Sequence, residues 1–250
     1  MIDSDILIVV PCYNEEKRLP VRPFLDFARL QKHYHFLFVD DGSSDHTFGL
    51  LEQMCKENPA QMDVLKLEKN GGKAEAVRQG FLKALGTQAW YIGFWDADLA
   101  TPLYVLPEFI QAYHEKPSLE MIFGSRVRLM GHRVERKMLR HYLGRIFATM
   151  ASNVIKLSIY DTQCGAKIFR KTPVLAEIFK TPFKSKWIFD VEILARYLQI
   201  KRREGLKDFD ELILELPLPE WRDVGASKVR PGDFLKAFSE LLQICLTYRQ

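Results

Sequence analysis

Five short apolar runs punctuate the first half of the chain: Ile6–Val10, Phe36–Val39, Val64–Leu67, Trp90–Trp95 and Met121–Phe123. They are β-branched or aromatic and mostly continuous in hydrophobicity, which predicts strands buried on both faces. Between them apolar residues fall at helical spacing over Pro23–His33, Asp45–Glu57, Lys73–Leu85 and Leu103–His114. Phe48, Leu51 and Met54 share one face of the second of these, and Gly86 closes the third. Strand and helix in alternation imply crossover connections, a mainly parallel sheet and flanking helices, the α/β class. From Gly124 the pattern changes. A basic amphipathic segment (Arg136–Leu157) precedes a strand at Ala166–Phe169, a helix from near Asp190 and a strand at Leu212–Leu216. Trp221–Pro231 reads as loop, and the last nineteen residues, from Gly232, as an apolar-rich helix. No repeat, low-complexity tract or flexible linker divides the chain, so one domain over residues 1–250 is expected.

Polar residues gather just after the apolar runs. Tyr13-Asn14-Glu15 follows the first, Asp40-Asp41-Gly42-Ser43-Ser44-Asp45 the second and Asp96-Ala97-Asp98 the fourth. Ligands of open α/β sheets bind beyond the carboxyl ends of the strands, so these clusters are expected in one cleft. Two carboxylates one residue apart at a strand end, as in Asp96 and Asp98, need a cation or solvent. Taken alone the tripeptide also reads as a solvated loop or a helix cap. With two further acidic clusters beside it, an oxygen-only site for Mg²⁺ or Mn²⁺ shared with substrate phosphates is the stronger reading. Asp45 or Ser44 can cap the helix that follows, but Asp40 and Asp41 cannot both do so, which leaves at least one to hold a base or ribose. Asn70-Gly71-Gly72-Lys73 opens a helix. It is not a phosphate-binding P-loop, because Leu67 stands where the first glycine belongs and Ala74 replaces Ser/Thr. It is an ordinary turn or an anion site at a helix N-terminus.

Charge and cysteine usage narrow the class. Of 250 residues, 36 are Lys or Arg and 32 Asp or Glu, a net +4 too mild to argue for nucleic acid. The excess is local. The window Arg126–Arg145 holds seven Lys/Arg (Arg126, Arg128, Arg133, Arg136, Lys137, Arg140, Arg145) against Glu135, a net +6, which leaves the rest at −2. Cys12, Cys55, Cys164 and Cys245 form no CxxC pair and no metal-type spacing with the six histidines, which argues against a disulfide scaffold or structural zinc. The acidic start and the shortness of the first apolar run argue against a signal peptide, and no window reaches 18 apolar residues. A cytoplasmic chain with reduced thiols is expected, with any bilayer contact peripheral to the inner face of a membrane.

Together these residues resemble the inverting family 2 glycosyltransferases, which have the GT-A nucleotide-sugar-binding fold. Val10–Glu16 is similar to their first-strand motif, Val39–Asp45 to their VDDGSxD motif, Asn70–Gly80 to their N-x-GK-x-x-A-x-x-x-G stretch and Asp96–Asp98 to their DxD. This covers the first 125 residues as a nucleotide-sugar-binding half. In the acceptor half, residues 126–250, Gly124–Arg126, Asp161–Lys167, Trp187–Glu192 and Gly225–Lys228 resemble the polyprenyl-phosphate sugar synthases, above all the dolichyl-phosphate β-glucosyltransferases. Ala166 departs from the pattern, standing where those enzymes usually carry an aromatic residue.

The resemblance implies that Pro11, Tyr13 and Glu15, with Asp40 or Asp41, hold the base and ribose, and that Lys73 lies near base or pyrophosphate. It implies that Asp98 binds the metal while Asp96, beside Ala97, reaches ribose or metal. Asp190 falls where family members carry their catalytic acid, as base or acceptor organiser; a plain helix N-cap is the other reading. For a lipid-phosphate acceptor, Arg126, Arg136 and Arg140 are candidate phosphate clamps, with Asp161 orienting them and Lys228 closing over the pyrophosphate. In the basic helix Leu139, Leu143, Ile146, Phe147 and Met150 share a face, which suits an anionic membrane surface or simple core packing. Phe234, Leu235, Phe238, Leu241, Leu242 and Leu246 form a C-terminal stripe whose default is core packing or pairing with a second copy. The expected activity is metal-dependent, inverting transfer of a hexose, glucose from UDP-glucose, onto a polyprenyl phosphate, with a GDP-hexose as the other donor. A hydroxyl-acceptor transferase of the same fold and a nucleotide-sugar-binding module without turnover are the rivals.

Overall fold

A computed structural model describes residues 5–135, 138–206, 208–224 and 232–248. Strands β1 (Ile6–Cys12), β2 (Tyr34–Asp40), β3 (Met62–Lys66) and β4 (Tyr91–Trp95) alternate with helices α1 (Val21–Leu30), α2 (Thr47–Glu57) and α3 (Lys73–Leu85). Helix α4 (Leu106–Glu115), β5 (Met121–Ser125), β6 (Arg133–Glu135) and α5 (Met138–Ile155) follow. The chain then runs through β7 (Ala166–Arg170), α6 (Pro173–Lys180), α7 (Phe189–Arg203), β8 (Ile213–Pro217), β9 (Glu220–Arg222) and α8 (Gly232–Thr247).

The main sheet has seven strands in the order β3-β2-β1-β4-β7-β5-β8. All neighbours are parallel except β7, which runs antiparallel between β4 and β5. The expected α/β fold is therefore present, with one reversed strand inserted from the second half of the chain. A small parallel pair joins β6 to β9, so Trp221 and Arg222, the start of the Trp221–Pro231 stretch expected as loop, are strand. Trp221 supplies the reason: it is buried opposite Val134, which apolar burial favours over a solvated loop.

Each strand feeds two cores, as period-2 geometry requires. From β1, Ile6, Ile8 and Val10 face the layer of α1, α2 and α4, while Val9 faces the layer of α3, α5, α6, α7 and α8. Helix α3 lies close on the sheet because Gly80 has no side chain; a Cβ there would sit 2.3 Å from Val9. This settles the start of α3, and with it Lys73, above the ends of β1 and β4. Helix α5 buries Phe147, Ala148, Ala151 and Ile155, while Ile146, expected on the same face, is exposed. Side chains of residues 138–143 lie outside the description, Leu139 and Leu143 among them. Helix α8 splits the expected stripe: Ala237, Leu241 and Ile244 are buried, and Phe238, Leu242 and Leu246 are exposed. Phe234 and Leu235 lie outside the described side chains. No helix among the described residues is long and apolar enough to cross a membrane, and the cysteines are free thiols.

Candidate active site

Three loops at the carboxyl ends of β1, β2 and β3 interlock through side chain to backbone hydrogen bonds. After β1, Asn14 takes a left-handed conformation (φ 51°), which asparagine tolerates better than most residues. Its N–H donates to Ser43 Oγ at 3.0 Å, and its own Oδ1 accepts from the Ser44 N–H at 2.9 Å. Glu15 N–H donates to Thr47 Oγ1 and Glu16 N–H to Asp45. Asp45 also accepts the Thr47 N–H, so it serves the first turn of α2 as expected, though the residue at the cap position is His46. Asp41 spans to the third loop, where its two oxygens accept the N–H groups of Gly71 and Gly72, both at 2.8 Å. Burial raises the Asp41 carboxyl above the ordinary range in spite of those donors. Asp40 separates from its neighbour. It is fully buried, accepts the Ser43 N–H, lines neither of the cavities described below, and its Oδ2 has no partner.

A cavity of about 520 Å³ opens over these loops. Pro11, Tyr13, Glu15, Asp41, Lys73, Asp96, Ala97 and Asp98, scattered through the sequence motifs, all line it. Lys73 Nζ lies 2.5 Å from Asp96 Oδ1. Burial alone would depress that ammonium, but Asp96, Asp190 and Asp98 outweigh it and hold Lys73 above the usual lysine range. Burial, reinforced by the Asp96 charge, pushes the Asp98 carboxyl up against the pull of the Ala100 N–H, Arg18 and Lys73. Arg18, which no motif singled out, reaches both Glu15 (3.0 Å) and Asp98 (3.5 Å) across the cavity. Gly165 packs directly against Asp96: a Cβ there would sit 1.9 Å from Asp96 Oδ2. The same glycine accepts the Asp96 N–H at 3.0 Å, so the loop before β7 fixes the backbone and the carboxylate of Asp96 together.

Asp96 and Asp98 fit a hard divalent cation. They present carboxylate oxygens only, and no cluster of three or more His, Cys, Asp or Glu able to hold a metal occurs among the described residues. Such a pair suits Mg²⁺ or Mn²⁺, which takes one or two carboxylates and fills its remaining positions with phosphate oxygens and water. Burial first and the Asp96 charge second raise the Asp98 carboxyl, so a cation placed between them would favour its ionised form.

A second cavity of about 320 Å³ adjoins the first, and Lys73, Arg126 and Trp187 line both. Its walls are α5 (Gly144, Arg145, Phe147, Ala148), the 160–163 loop, residues 186–190 and Ala237 of α8. Asp161 grips Arg126 in a fork, Nε to Oδ2 at 2.6 Å and Nη2 to Oδ1 at 2.7 Å, and accepts the Arg126 N–H as well. Burial opposes the Arg126 charge and Asp161 overrides it, leaving the guanidinium more firmly protonated than usual. Asp161 is itself placed by Glu215, which accepts the N–H groups of Tyr160 and Asp161 at 2.6 and 2.8 Å. Arg145 lies 3.5 Å over the Tyr160 ring and donates to the Tyr160 carbonyl. Arg145 and Lys186 are cations of this cavity that the motifs did not assign. Arg136 and Lys228 lie outside the described residues, as does the Arg140 side chain.

Asp190 stands in the first turn of α7 rather than at its cap, which is Ile188. Its Oδ1 pairs at 2.6 Å with Lys167, a fully buried lysine on β7 that also donates to the Cys164 carbonyl. The rings of Phe94 and Phe123 lie about 5 Å from the same ammonium. A lysine flanked by Ala166, Ile168 and Phe169 in a strand was the available signal for it. Ala166 is fully buried against Gly124 and lines neither cavity, so this departure from the family pattern touches the core and not the site.

Residues 7–176 match the family model described as glycosyl transferase family 2. The chain belongs to this family. The transferase is 32% identical to the dolichyl-phosphate beta-glucosyltransferase of Saccharomyces cerevisiae over 263 residues, 96% of this chain and 74% of that protein. It is 30% identical to the human protein of the same description over 262 residues, 98% of this chain and 76% of that one. Among solved structures, glucosyl-3-phosphoglycerate synthase of Mycobacterium tuberculosis in complex with UDP superposes with a TM-score of 0.63. It is 18% identical, with 97% of this chain and 80% of that one covered, which speaks to the GT-A fold alone. The same enzyme has been crystallised with Mn²⁺, UDP and phosphoglyceric acid.

Proposed function

We propose that the transferase moves a hexose, glucose from UDP-glucose, onto a polyprenyl phosphate, inverting the anomeric carbon and using Mg²⁺ or Mn²⁺. The observation that carries this reading is the pair of adjoining cavities. One is lined by carboxylates at the strand ends, the other is apolar with Arg126, Arg145 and Lys186 around it, and they meet at Lys73, Arg126 and Trp187. The similarity to dolichyl-phosphate beta-glucosyltransferases over most of the chain supports the acceptor, and Mn²⁺ with UDP in a neighbour of the same fold supports the donor and the metal.

In this reading the first cavity takes the nucleotide. Tyr13, Glu15 and Asp41 face base and ribose, and Asp96 and Asp98 hold the metal beside the pyrophosphate. The bound cation supplies charge neutralisation for the departing nucleoside diphosphate. Lys73 adds a second positive charge at the boundary where the bond to the leaving group breaks. The second cavity takes the acceptor phosphate near Arg126 and Arg145, with the first isoprene units along Phe147, Ala148 and Ala237. A phosphate is already anionic at neutral pH, so Asp190 serves as an organiser of the acceptor end and not as a remover of protons. One in-line displacement between the two cavities then inverts the configuration.

The test is transfer from radiolabelled UDP- and GDP-hexoses with Mg²⁺ or Mn²⁺, with and without polyprenyl phosphate, followed by organic extraction. Label from UDP-glucose is expected in the organic phase only when both the metal and the lipid phosphate are present. Label confined to the aqueous phase with every donor would overturn the lipid acceptor in favour of a hydroxyl one.

A further inference from the structure

The wall shared by both cavities includes a short strap, residues 184–188, that belongs to no helix or strand. It carries Lys186 and Ile188 into the second cavity and Trp187 to the boundary of the two. Exposed backbone amides in such a segment would ordinarily bond to water or move with it, yet nearly every one here is held by a carboxylate. Glu192, fully buried on α7, accepts the N–H groups of Lys184 and Ser185 at 3.2 and 2.8 Å. Glu240, on α8, accepts those of Lys186, Trp187 and Ile188 at 3.2, 2.9 and 3.1 Å, and the Ser185 hydroxyl at 2.7 Å.

The two carboxylates do different work. Glu192 is locked into its own helix by Arg196 and by the Tyr248 hydroxyl, and that Arg196 goes on to bind the carbonyls of Ile178, Thr181 and Pro182. It is a hub of the core. Glu240 serves the strap alone among the contacts described, and all four of its donors lie within residues 185–188. Hydrogen bonds to a charged acceptor are stronger than neutral ones, and four converging on one carboxylate fix the strap as a rigid piece.

We infer that Glu240 is a positioning residue of the transferase: from the C-terminal helix it sets the strap so that Lys186 and Trp187 face the acceptor where the two cavities meet. Trp187, 38% exposed at the boundary of the two cavities, takes its backbone position from this clamp. Helix α8 thereby helps to position the acceptor end although, among its described side chains, it lines the second cavity with Ala237 alone. The inference rests on the acceptor reading of that cavity, and the experiment separates the two.

The test is Glu240→Gln, which keeps the shape and removes the charge, with Ser185→Ala as a milder second variant that deletes the hydroxyl's bond to Glu240 and its acceptance of the Ile188 N–H. Trp187 emission is isolated by subtracting the spectrum of Trp187→Phe, made in the wild-type and the Glu240→Gln backgrounds, and is read with no substrate present. Steady-state kinetics with UDP-glucose and a short-chain polyprenyl phosphate give the two KM values. The expected result for Glu240→Gln is a folded protein with shifted Trp187 emission, a KM for polyprenyl phosphate raised about tenfold and a KM for UDP-glucose within about twofold of wild type. Ser185→Ala is expected to move the same quantities in the same direction by less. Unchanged Trp187 emission in both variants would overturn the role of Glu240. Shifted emission with an unchanged acceptor KM would instead overturn the acceptor assignment of the cavity. A loss of stability with both KM values unchanged and unshifted emission would reduce Glu240 to a structural residue.

Discussion

The two cavities are built in opposite ways. The first is made of loops that follow parallel strands and bond to one another within a few residues of each strand end, through Asn14, Ser43, Asp45, Thr47 and Asp41. Of its acidic lining, Asp96 and Asp98 are partly exposed while Glu15 and Asp41 are buried, and Lys73 and Arg18 pair directly with Asp96 and Asp98. Apart from Lys73, the second is made of helices, a strap and one loop brought together from residues 126–237, and its polar groups are held by ion pairs and by backbone bonds to carboxylates of other elements. Asp161 holds Arg126, Glu215 holds Asp161, Lys167 holds Asp190 and Glu240 holds the strap. In the proposed reading, the two carboxylates that would hold the metal stay partly exposed to the cleft. In the same reading, the acceptor cavity sets cations at an apolar wall and pairs its buried charges, Asp161 with Arg126 and Asp190 with Lys167, because an unpaired buried charge is costly.

The sharpest way to break this contrast is Lys167→Ala. It would leave Asp190 buried without its cation, and the expected loss is about 3–5 kcal/mol in denaturant unfolding. Replacing the pair together by Lys167→Met and Asp190→Leu is expected to recover most of that stability while transfer stays lost. A cost below about 1 kcal/mol for the single variant would show that the pair is solvated and the picture of paired buried charges wrong.

On the other side, Asp98→Asn removes a partly exposed charge, so the expectation is reversed: unfolding stays near wild type while kcat falls on the order of a hundredfold or more. Gly165→Ala links the regions, since its new methyl would displace the Asp96 carboxylate. It is expected to raise the KM for the nucleotide sugar by about tenfold with little change in acceptor KM. The smallest effect is expected from Arg145→Gln, which removes one of several cations: a rise in acceptor KM of severalfold to about tenfold, with donor KM unchanged. If Arg145→Gln and Gly165→Ala moved the same KM, the two cavities would not be separate binding sites.

The same contrast explains what could be read from the chain. In the first half, chemistry lies just beyond each strand, so apolar runs followed by Tyr13-Asn14-Glu15, Asp40–Asp45 and Asp96–Asp98 announced both the sheet and the cleft. Even there, only geometry separates Asp41, which lines the cavity and ties down the Gly71-Gly72 turn, from Asp40, which is buried beneath it. In the second half the positioning partners, Glu240 for Lys186, Glu215 for Asp161 and Lys167 for Asp190, do not stand in polar clusters that follow an apolar run. No local pattern joins them. The basic window drew attention to residues 126–145 but gave no site role to Arg145 within it, whose place over Tyr160 depends on a loop fifteen residues on. The reversal of β7 was equally hidden, because a buried strand shows the same hydrophobic pattern in either direction.

The central claim is that acceptor and donor occupy different, adjoining cavities. A polyprenyl phosphate carrying a photoreactive group on its first isoprene unit, cross-linked and mapped by peptide mass spectrometry, tests it directly. Labelling is expected within residues 144–148 and 186–190, to be competed by unlabelled polyprenyl phosphate and to persist with saturating UDP. Labelling that falls on Tyr13–Glu15 or Asp96–Asp98, or that UDP abolishes, would contradict the two-cavity account.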